Sequence, residues 1–302
     1  MEGLKFYLHN PKSIYTFLST RGLLDWMPDT WYLKMAYRIN IGKKLNLKTP
    51  QTFCEKIQWL KLHDRRPEYT LMVDKYEAKK YVADKIGEKY IIPTLGVWDS
   101  FDDIDFDALP NQFVLKCTHD SGGLVICTDK NRFDKMVAKR KIVKSLSREY
   151  YRIGREWPYK CVKHRIIAEQ YMTDNTQLNG KNDLTDYKFY CFNGEPKFLY
   201  VSLGLQDHST ALISYLTLDW QFAPFQRDDY KNFEKLPPKP SNFDEMLLVA
   251  RKLSENIPFL RVDLYEIDDA VYFSELTFSP TSGFMPFKPD MWEYIVGEWI
   301  SL

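Results

Sequence analysis

The dipeptide Asn193-Gly194 restricts the fold more than any other feature of this chain. It separates two β-rich runs, 186–191 (DYKFYC) and 196–202 (PKFLYVS). Asn-Gly supplies the two positive-φ residues of a tight antiparallel hairpin, so a purely helical bundle is excluded. Further strand-like runs lie at 90–92, 96–98, 112–117 (QFVLKC), 123–128 (GLVICT) and 165–171 (RIIAEQY), and two more surround Asp268-Asp269 within 260–280. Helical patterns fall between them. Residues 11–66 read as helical with stops at Pro28 and Pro50, and Thr52 with Glu55 has capping-box spacing ahead of Ile57, Leu60 and Leu62. Residues 74–86 predict a helix closed by Gly87, and 133–153 a basic one. After the stiff connector 236–242, Phe243, Met246, Leu247, Ala250 and Leu253 share one helical face, and Trp292 and Trp299 share another near the C-terminus. Strands and helices alternating in this way predict an α+β or mixed α/β enzyme-like fold.

Charge narrows the function classes. Lys and Arg number 42 against 41 Asp and Glu, a net +1 over 302 residues, which argues against a nucleic-acid binder. The total hides an asymmetry: residues 1–66 carry +7, residues 129–165 carry +9, and the remainder carries −15. The N-terminus lacks the apolar run and cleavage site of a signal peptide, and no stretch approaches ~20 apolar residues. The five cysteines are widely spaced without a CxxC pair, which predicts free thiols in a reducing cytoplasm. No His/Cys grouping has zinc-ligand spacing. The 47 aromatic residues are read as core packing before any sugar-stacking role.

Four places carry candidate chemistry. Lys116 ends a strand and leads into Ser121-Gly122-Gly123, where glycines let backbone N–H groups approach phosphate oxygens and the lysine adds a point charge. Glu169-Gln170-Tyr171-Met172 ends an apolar strand, whose extended backbone suits the edge of a flat base. Asp186-Tyr187-Lys188 offers a second cation. Arg261-Val262-Asp263 and Glu275-Leu276-Thr277 offer oxygen ligands for Mg²⁺, with Glu275 and Thr277 on one strand face, ~6.6 Å apart. Whether Asp263 joins them depends on the turn. A two-residue turn at Asp268-Asp269 sets Asp263 opposite Ser274, whereas a three-residue loop or a β-bulge sets it opposite Glu275. The expectation is the odd-numbered loop or the bulge.

In this order the motifs resemble the ATP-grasp superfamily. The resemblance is strongest to its TupA-like branch, the teichuronopeptide-biosynthesis type of bacterial capsule and cell-wall polysaccharide clusters. It runs through 73–99, 109–123, 166–172, 186–196 and 260–284 and covers roughly 50–284. It implies an α+β fold in which two subdomains clasp ATP, with a helical N-terminal extension: 1–66 basic and helical, 67–110 an associated segment, 111–168 the small lid, 169–302 the large subdomain with the metal site. It implies Lys75 and Lys116 as phosphate-side lysines, and Ser121, Gly122 and Gly123 as a mobile phosphate-covering loop. Glu169, Gln170 and Met172 form the adenine hinge, Glu169 toward the exocyclic amine and the backbones of the other two toward the ring edge, with Asp174 as the ribose candidate. Lys188 is a third phosphate contact, Arg261 stabilises the transferring phosphoryl group, and Asp263, Glu275 and Thr277 hold Mg²⁺. Thr277 stands where the superfamily usually has Asn, and a monodentate hydroxyl holds a metal more loosely.

The implied activity is Mg-ATP-dependent ligation of a carboxylate on a glycan precursor to an amine, an amino acid among the candidates, through an acyl phosphate. Competing readings are a transferase of the same polysaccharide clusters (glycosyltransferase or sugar phosphotransferase) and a non-catalytic nucleotide-binding module. Asp103-Ile104-Asp105 and Asp105-Phe106-Asp107 match a glycosyltransferase DxD by letter only, in an acidic loop. Ser279, Thr281, Ser282 and Gly283 are the acceptor-side candidates. The basic N-terminal region has no ATP-site role by the resemblance. In a cytoplasmic protein it is assigned to docking either an anionic lipid-linked glycan or the inner membrane face itself.

Overall fold

A computed structural model describes residues 11–174, 184–204 and 211–302; the first ten residues of the expected N-terminal region lie outside these. Two antiparallel sheets organise the chain. The smaller has the order β1-β4-β2-β3, from β1 (Thr94–Trp98), β2 (Phe113–Cys117), β3 (Leu124–Cys127) and β4 (Ile166–Gln170). The larger has the order β7-β6-β5-β8-β9, from β5 (Asp186–Phe192), β6 (Glu195–Leu203), β7 (Leu212–Thr217), β8 (Phe259–Ile267) and β9 (Ala270–Thr277). Every pairing between these strands is antiparallel, so the fold is α+β. The β5–β6 turn is Asn193-Gly194, both at positive φ (48° and 86°), as the dipeptide predicts.

The large sheet is packed differently on its two sides, following the two-residue period of its strands. Phe189, Cys191, Leu199, Val201, Val262 and Leu264 face a core closed by α5 (Glu77–Ile86) and α8 (Phe243–Ser254). On α8, Phe243, Met246, Ala250 and Leu253 are buried, the face its spacing predicts. On the opposite side, Tyr190, Phe192, Phe198 and Phe259 pack under α2 (Asp29–Ile41) and α3 (Phe53–His63), with Trp292 and Trp299 at the rim. Phe53 touches Phe259 and Phe287 at ring-centroid distances of 5.1 and 5.2 Å. Further along the same side the residues become charged: Lys188, Arg261 and Asp263. The basic N-terminal region is thus structural on its inner face, because its helices cover half of the sheet side that carries those charges.

Local chemistry sets the helix ends. Thr52 and Glu55 form the expected capping box at the start of α3. The helix expected from Asp74 starts at Glu77, because the Asp74 carboxylate takes the N–H groups of Tyr76 (2.8 Å) and Glu77 (3.3 Å) and ends α4 (Glu68–Val73) instead. The predicted basic helix is two helices. α6 (Lys135–Leu146) is capped by Asp134, the chain breaks at 147–149, and α7 (Tyr150–Gly154) ends where Arg155 turns left-handed at φ 52°. The strand expected at 90–92 does not form: Tyr90 ends a 3₁₀ turn, Glu88–Tyr90, and Ile91 makes a single bridge to Phe273. β1, expected in the 67–110 segment, pairs with β4, so the small sheet draws on both sides of the 110/111 boundary. All five cysteines are free.

Candidate active site

Asp263 and Glu275 are direct partners across β8 and β9. Asp268 and Asp269 form a two-residue turn, both at positive φ, and Ile267 pairs with Ala270. On that register alone Asp263 would face Ser274. A bulge between Asp263 and Leu264 shifts the pairing, since Leu264 partners Phe273 and Asp263 partners Glu275, leaving Ser274 as the extra residue. Of the two expected routes to a carboxylate pair, the chain uses the bulge.

Cations interleave with these carboxylates. Arg261 grips Asp263 through two hydrogen bonds of 2.7 Å and reaches Glu275 Oε1 and Thr277 Oγ1, each at 3.0 Å. Lys188, paired with Asp263 across β5 and β8, donates to it at 2.8 Å and to Asp186 at 3.2 Å. Asp263 has no exposed surface, whereas the Glu275 side chain is 40% exposed and opens to the cleft. Burial raises the pKa of Asp263 against the pull of Arg261 and Lys188. For Glu275 burial also acts upward, but Lys188, Arg261 and Lys75 together bring it down to about 2. Tyr200 carries Arg261 and Lys188 over its ring, 5.7 and 6.0 Å from the centroid.

The small sheet presents a second ionic group. Val114 partners Glu169, so Lys116 lies diagonally across from it and bonds Oε2 at 2.5 Å. Lys79 of α5 holds Oε1 at 2.6 Å and donates to the Ile92 carbonyl at 2.5 Å. Burial pushes Glu169 up, but the two ammonium groups outweigh it and hold its pKa near 2. Lys116 is lowered by burial and raised by Glu169, with a net rise. Lys79, sharing Glu169 with Lys116, is lowered because burial prevails. The charge of Glu275 bears on Lys116, and that of Lys75 on Glu275, so the two ionic groups are electrostatic neighbours, and the region between them is the candidate cleft.

The remaining candidates surround that cleft. Lys75 donates its ammonium to the Asp120 carbonyl and its backbone N–H to Thr118 O (3.0 Å), binding the start of α5 to the β2–β3 loop. Ser121 and Gly122 are exposed in that loop and Gly123 is buried. Gly123 lies so close to Ser145, Asp120 and Cys117 that a Cβ would meet the latter two at 2.6 and 2.9 Å. At the end of β4 the Gln170 N–H is committed to Pro93 O at 3.0 Å, and Met172 and Asp174 follow half-buried, the Asp174 charge bearing on Tyr187 of β5. The Glu169 carboxylate is committed to two lysines, so any contact of this hinge with a base falls to backbone groups. Asp186, named with Lys188 in the sequence, is that lysine's second carboxylate, whereas Lys79 is a neighbour of the site the motifs did not name. Lys79 follows Lys75 by four residues, a helical interval that could have flagged it.

Asp263, Glu275 and Thr277 are hard oxygen donors of the kind Mg²⁺ takes. They share one sheet face with an opening at Glu275, and so fit such an ion. Among the described residues no group of three or more His, Cys, Asp or Glu is arranged to hold a metal.

A family model described as TupA-like ATPgrasp matches residues 55–301. No curated protein matches the sequence. Similar solved structures include a D-alanine–D-alanine ligase from Bacillus anthracis complexed with ATP (13% identity, TM-score 0.39, 69% of this chain and 54% of that one). A D-alanine–D-alanine ligase from Helicobacter pylori is similar at 12% identity and TM-score 0.41, over 77% and 61% of the two chains. A RimK domain ATP-grasp protein from Sphaerobacter thermophilus is similar at 11% identity and TM-score 0.40, over 77% and 69%. The chain spans little more than half the length of the first of these structures.

Proposed function

The chain belongs to the TupA-like ATP-grasp family, and on that premise we propose that it is a Mg-ATP-dependent ligase. It joins a carboxylate on a bacterial capsular or cell-wall polysaccharide precursor to an amine, through an acyl phosphate. One observation carries this reading: the alternating row Lys188, Asp263, Arg261, Glu275 and Thr277 on the large sheet lies within electrostatic reach of Lys75 and Lys116. Forming an acyl phosphate brings a carboxylate against a phosphate. Two like unit charges 4 Å apart repel by ~4 kcal/mol at an effective dielectric of ~20. Lys75, Lys116, Lys188 and Arg261 are the counter-charges for that encounter.

Asp263, Glu275 and Thr277 would hold Mg²⁺, which supplies further positive charge to phosphate oxygens when bound. Arg261 orients the reacting phosphoryl group. Ser121 and Gly122, exposed in the β2–β3 loop, cover the phosphates, and the backbone at Gln170 and Met172 reads the adenine, with Asp174 near the ribose. Excluding water protects the acyl phosphate. The protein works in the cytoplasm at the inner membrane face. Among the described residues no helix is long and apolar enough to cross a membrane.

The test is ADP release with Mg-ATP across a panel of uronic acids and amines, with hydroxylamine trapping of the acyl phosphate. A hydroxamate formed only when acid and ATP are both present supports the reading. Neither ADP nor hydroxamate from any pair counts decisively against it.

A further inference from the structure

A cavity of about 730 Å³ lies between the N-terminal region and the end of α6, and none of the site residues described above lines it. One wall is the turn that follows α1 (Pro11–Thr20). The other is formed by the end of α6, the break at 147–149 and α7. Buried hydrogen bonds fix these walls to each other although they are distant in sequence. Tyr32 Oη donates to the Ile153 carbonyl at 2.7 Å and lies 3.0 Å from Ser19 Oγ, so one fully buried side chain touches both walls. Arg155 spans the same junction, donating to Leu24 O at 2.9 Å.

The charges around this cavity are unbalanced. Arg21, Lys144, Arg148 and Arg152 line it against two carboxylates, Asp25 and Glu149. Asp25 is taken up by Arg152, at 3.3 Å. Among the described residues no ion pair reaches Arg21, Lys144 or Arg148. Arg21 is stacked on Phe17, its guanidinium carbon 3.9 Å from the ring centroid, and Arg148 is half-buried. Like charges gathered round one concavity repel each other and focus their field into it, and a bound anion relieves that repulsion. Guanidinium groups match phosphate oxygens in pairs, and an ammonium adds a point charge. The volume is that of a site for a whole small molecule, so the phosphate it suits is one carried on a larger group. The far side of the same segment holds the β2–β3 loop. Ser145 Oγ donates to the Asp120 carboxylate, His119 Nε2 lies 3.1 Å from Arg148 O, and His164 Nδ1 lies 2.8 Å from Leu146 O. Residues 145–148 therefore join the cavity wall to the loop carrying Ser121 and Gly122.

We propose that this cavity binds a phosphate or diphosphate ester, gripped by Arg21, Lys144 and Arg148 while Asp25 holds Arg152 in place. Two sources carry that chemistry, a soluble phosphorylated compound and a lipid headgroup. The exposed Leu23 and Trp26, either side of the Leu24-Asp25 pair, give reason to test the second. Inorganic pyrophosphate is titrated by calorimetry into the full chain at about 0.15 M salt, where distant surface charges are screened. Wild type should bind it. Arg21→Gln/Lys144→Gln and, separately, Arg148→Gln should each weaken it about tenfold or more, through lost charge-assisted contacts. Affinity for a fluorescent ATP analogue should stay within about twofold of wild type in both. Arg140→Gln/Lys141→Gln removes two α6 cations outside the cavity and should change pyrophosphate affinity less than about twofold. Absence of pyrophosphate binding by wild type overturns the proposal. So does wild-type affinity in the cavity variants, as binding in the nucleotide cleft alone would give, or an equal loss in Arg140→Gln/Lys141→Gln. Sedimentation with phosphatidylglycerol vesicles, against neutral phosphatidylcholine, then separates the sources. A loss confined to the cavity variants supports the site with lipid as its ligand, and unchanged sedimentation supports it with a soluble ester. Absence of the nucleotide signal in wild type counts against the ligase reading alone.

Discussion

Glu275 faces Asp263 across β8 and β9 because Ser274 is set out of register between Phe273 and Glu275. The two carboxylates nevertheless carry different burdens. Asp263 is fully buried between Arg261 and Lys188, while the Glu275 side chain is 40% exposed. Asp263→Ala leaves two buried cations without their shared, fully buried partner, Lys188 keeping Asp186 and Arg261 keeping Glu275, and should lower stability by about 3 kcal/mol in urea denaturation. Glu275→Gln should cost about 1 kcal/mol or less. Both should abolish Mg-dependent ATP turnover, so activity and stability separate in one variant and fall together in the other.

Glu169 predicts an acid-side effect. Its folded pKa, about 2, lies below the unfolded carboxylate value of about 4.3. Its stabilising contribution is therefore complete above the unfolded value and lost as pH falls through the folded one. Glu169→Gln should be most damaging at neutral pH, and its deficit against wild type should narrow from about pH 5 toward pH 2. A deficit constant across that range would contradict the Lys79–Glu169–Lys116 arrangement.

Lys61 predicts the same sense of change in an alkaline window. Burial lowers it to about 8, below the unfolded lysine. Between about pH 8 and 10.4 the unfolded chain binds more protons here, so the stability of wild type relative to Lys61→Met should rise with pH. Parallel denaturation of the two proteins at pH 7, 8.5 and 10 measures it.

Gly122 and Gly123 should respond differently to alanine. Gly123 has Asp120, Ser145 and Cys117 against its Cα, so a methyl group there overpacks and should cost about 1–3 kcal/mol. Gly122 has open space but φ +103°, so its alanine variant should lose about 1 kcal/mol through backbone strain alone. Thermal unfolding of both variants tests the order.

The outer side of the N-terminal helices should bind anionic bilayers. Trp26 and Trp31 are 78% and 68% exposed, and Lys34 and Arg38 lie exposed on the same helix as Trp31. Sedimentation with phosphatidylglycerol vesicles should fall with rising salt and with Trp26→Ser/Trp31→Ser. Salt-independent binding, or none, would remove the membrane assignment.

Local chemistry made much of this fold readable. Asn193-Gly194 specifies its turn through backbone sterics, and Thr52 with Glu55 specifies a helix start through two hydrogen bonds. The carboxylate pair was readable up to the bulge, because a bulge is decided by packing on both sides of a strand. Lys79 escaped motif reading for a similar reason: it acquires its partner from β4, distant in sequence. Charge alone left the inner face of the basic N-terminal region unread, since its core-facing residues, such as Tyr32, Leu33 and Ala36, are uncharged.

The alternating signs of Lys188, Asp263, Arg261 and Glu275, two of each, have an effect beyond contact range. Opposite charges placed a few ångströms apart cancel as multipoles, so their combined potential decays much faster with distance than that of a single ion. From a Debye length away the row is almost invisible to an approaching anion. Long-range attraction therefore falls to exposed cations outside the row, such as Lys135, Arg140, Lys141 and Lys144 of α6. The row acts only after arrival, by exchanging one set of neighbours for another, so the speed of capture and the tightness of binding are set by different parts of the molecule.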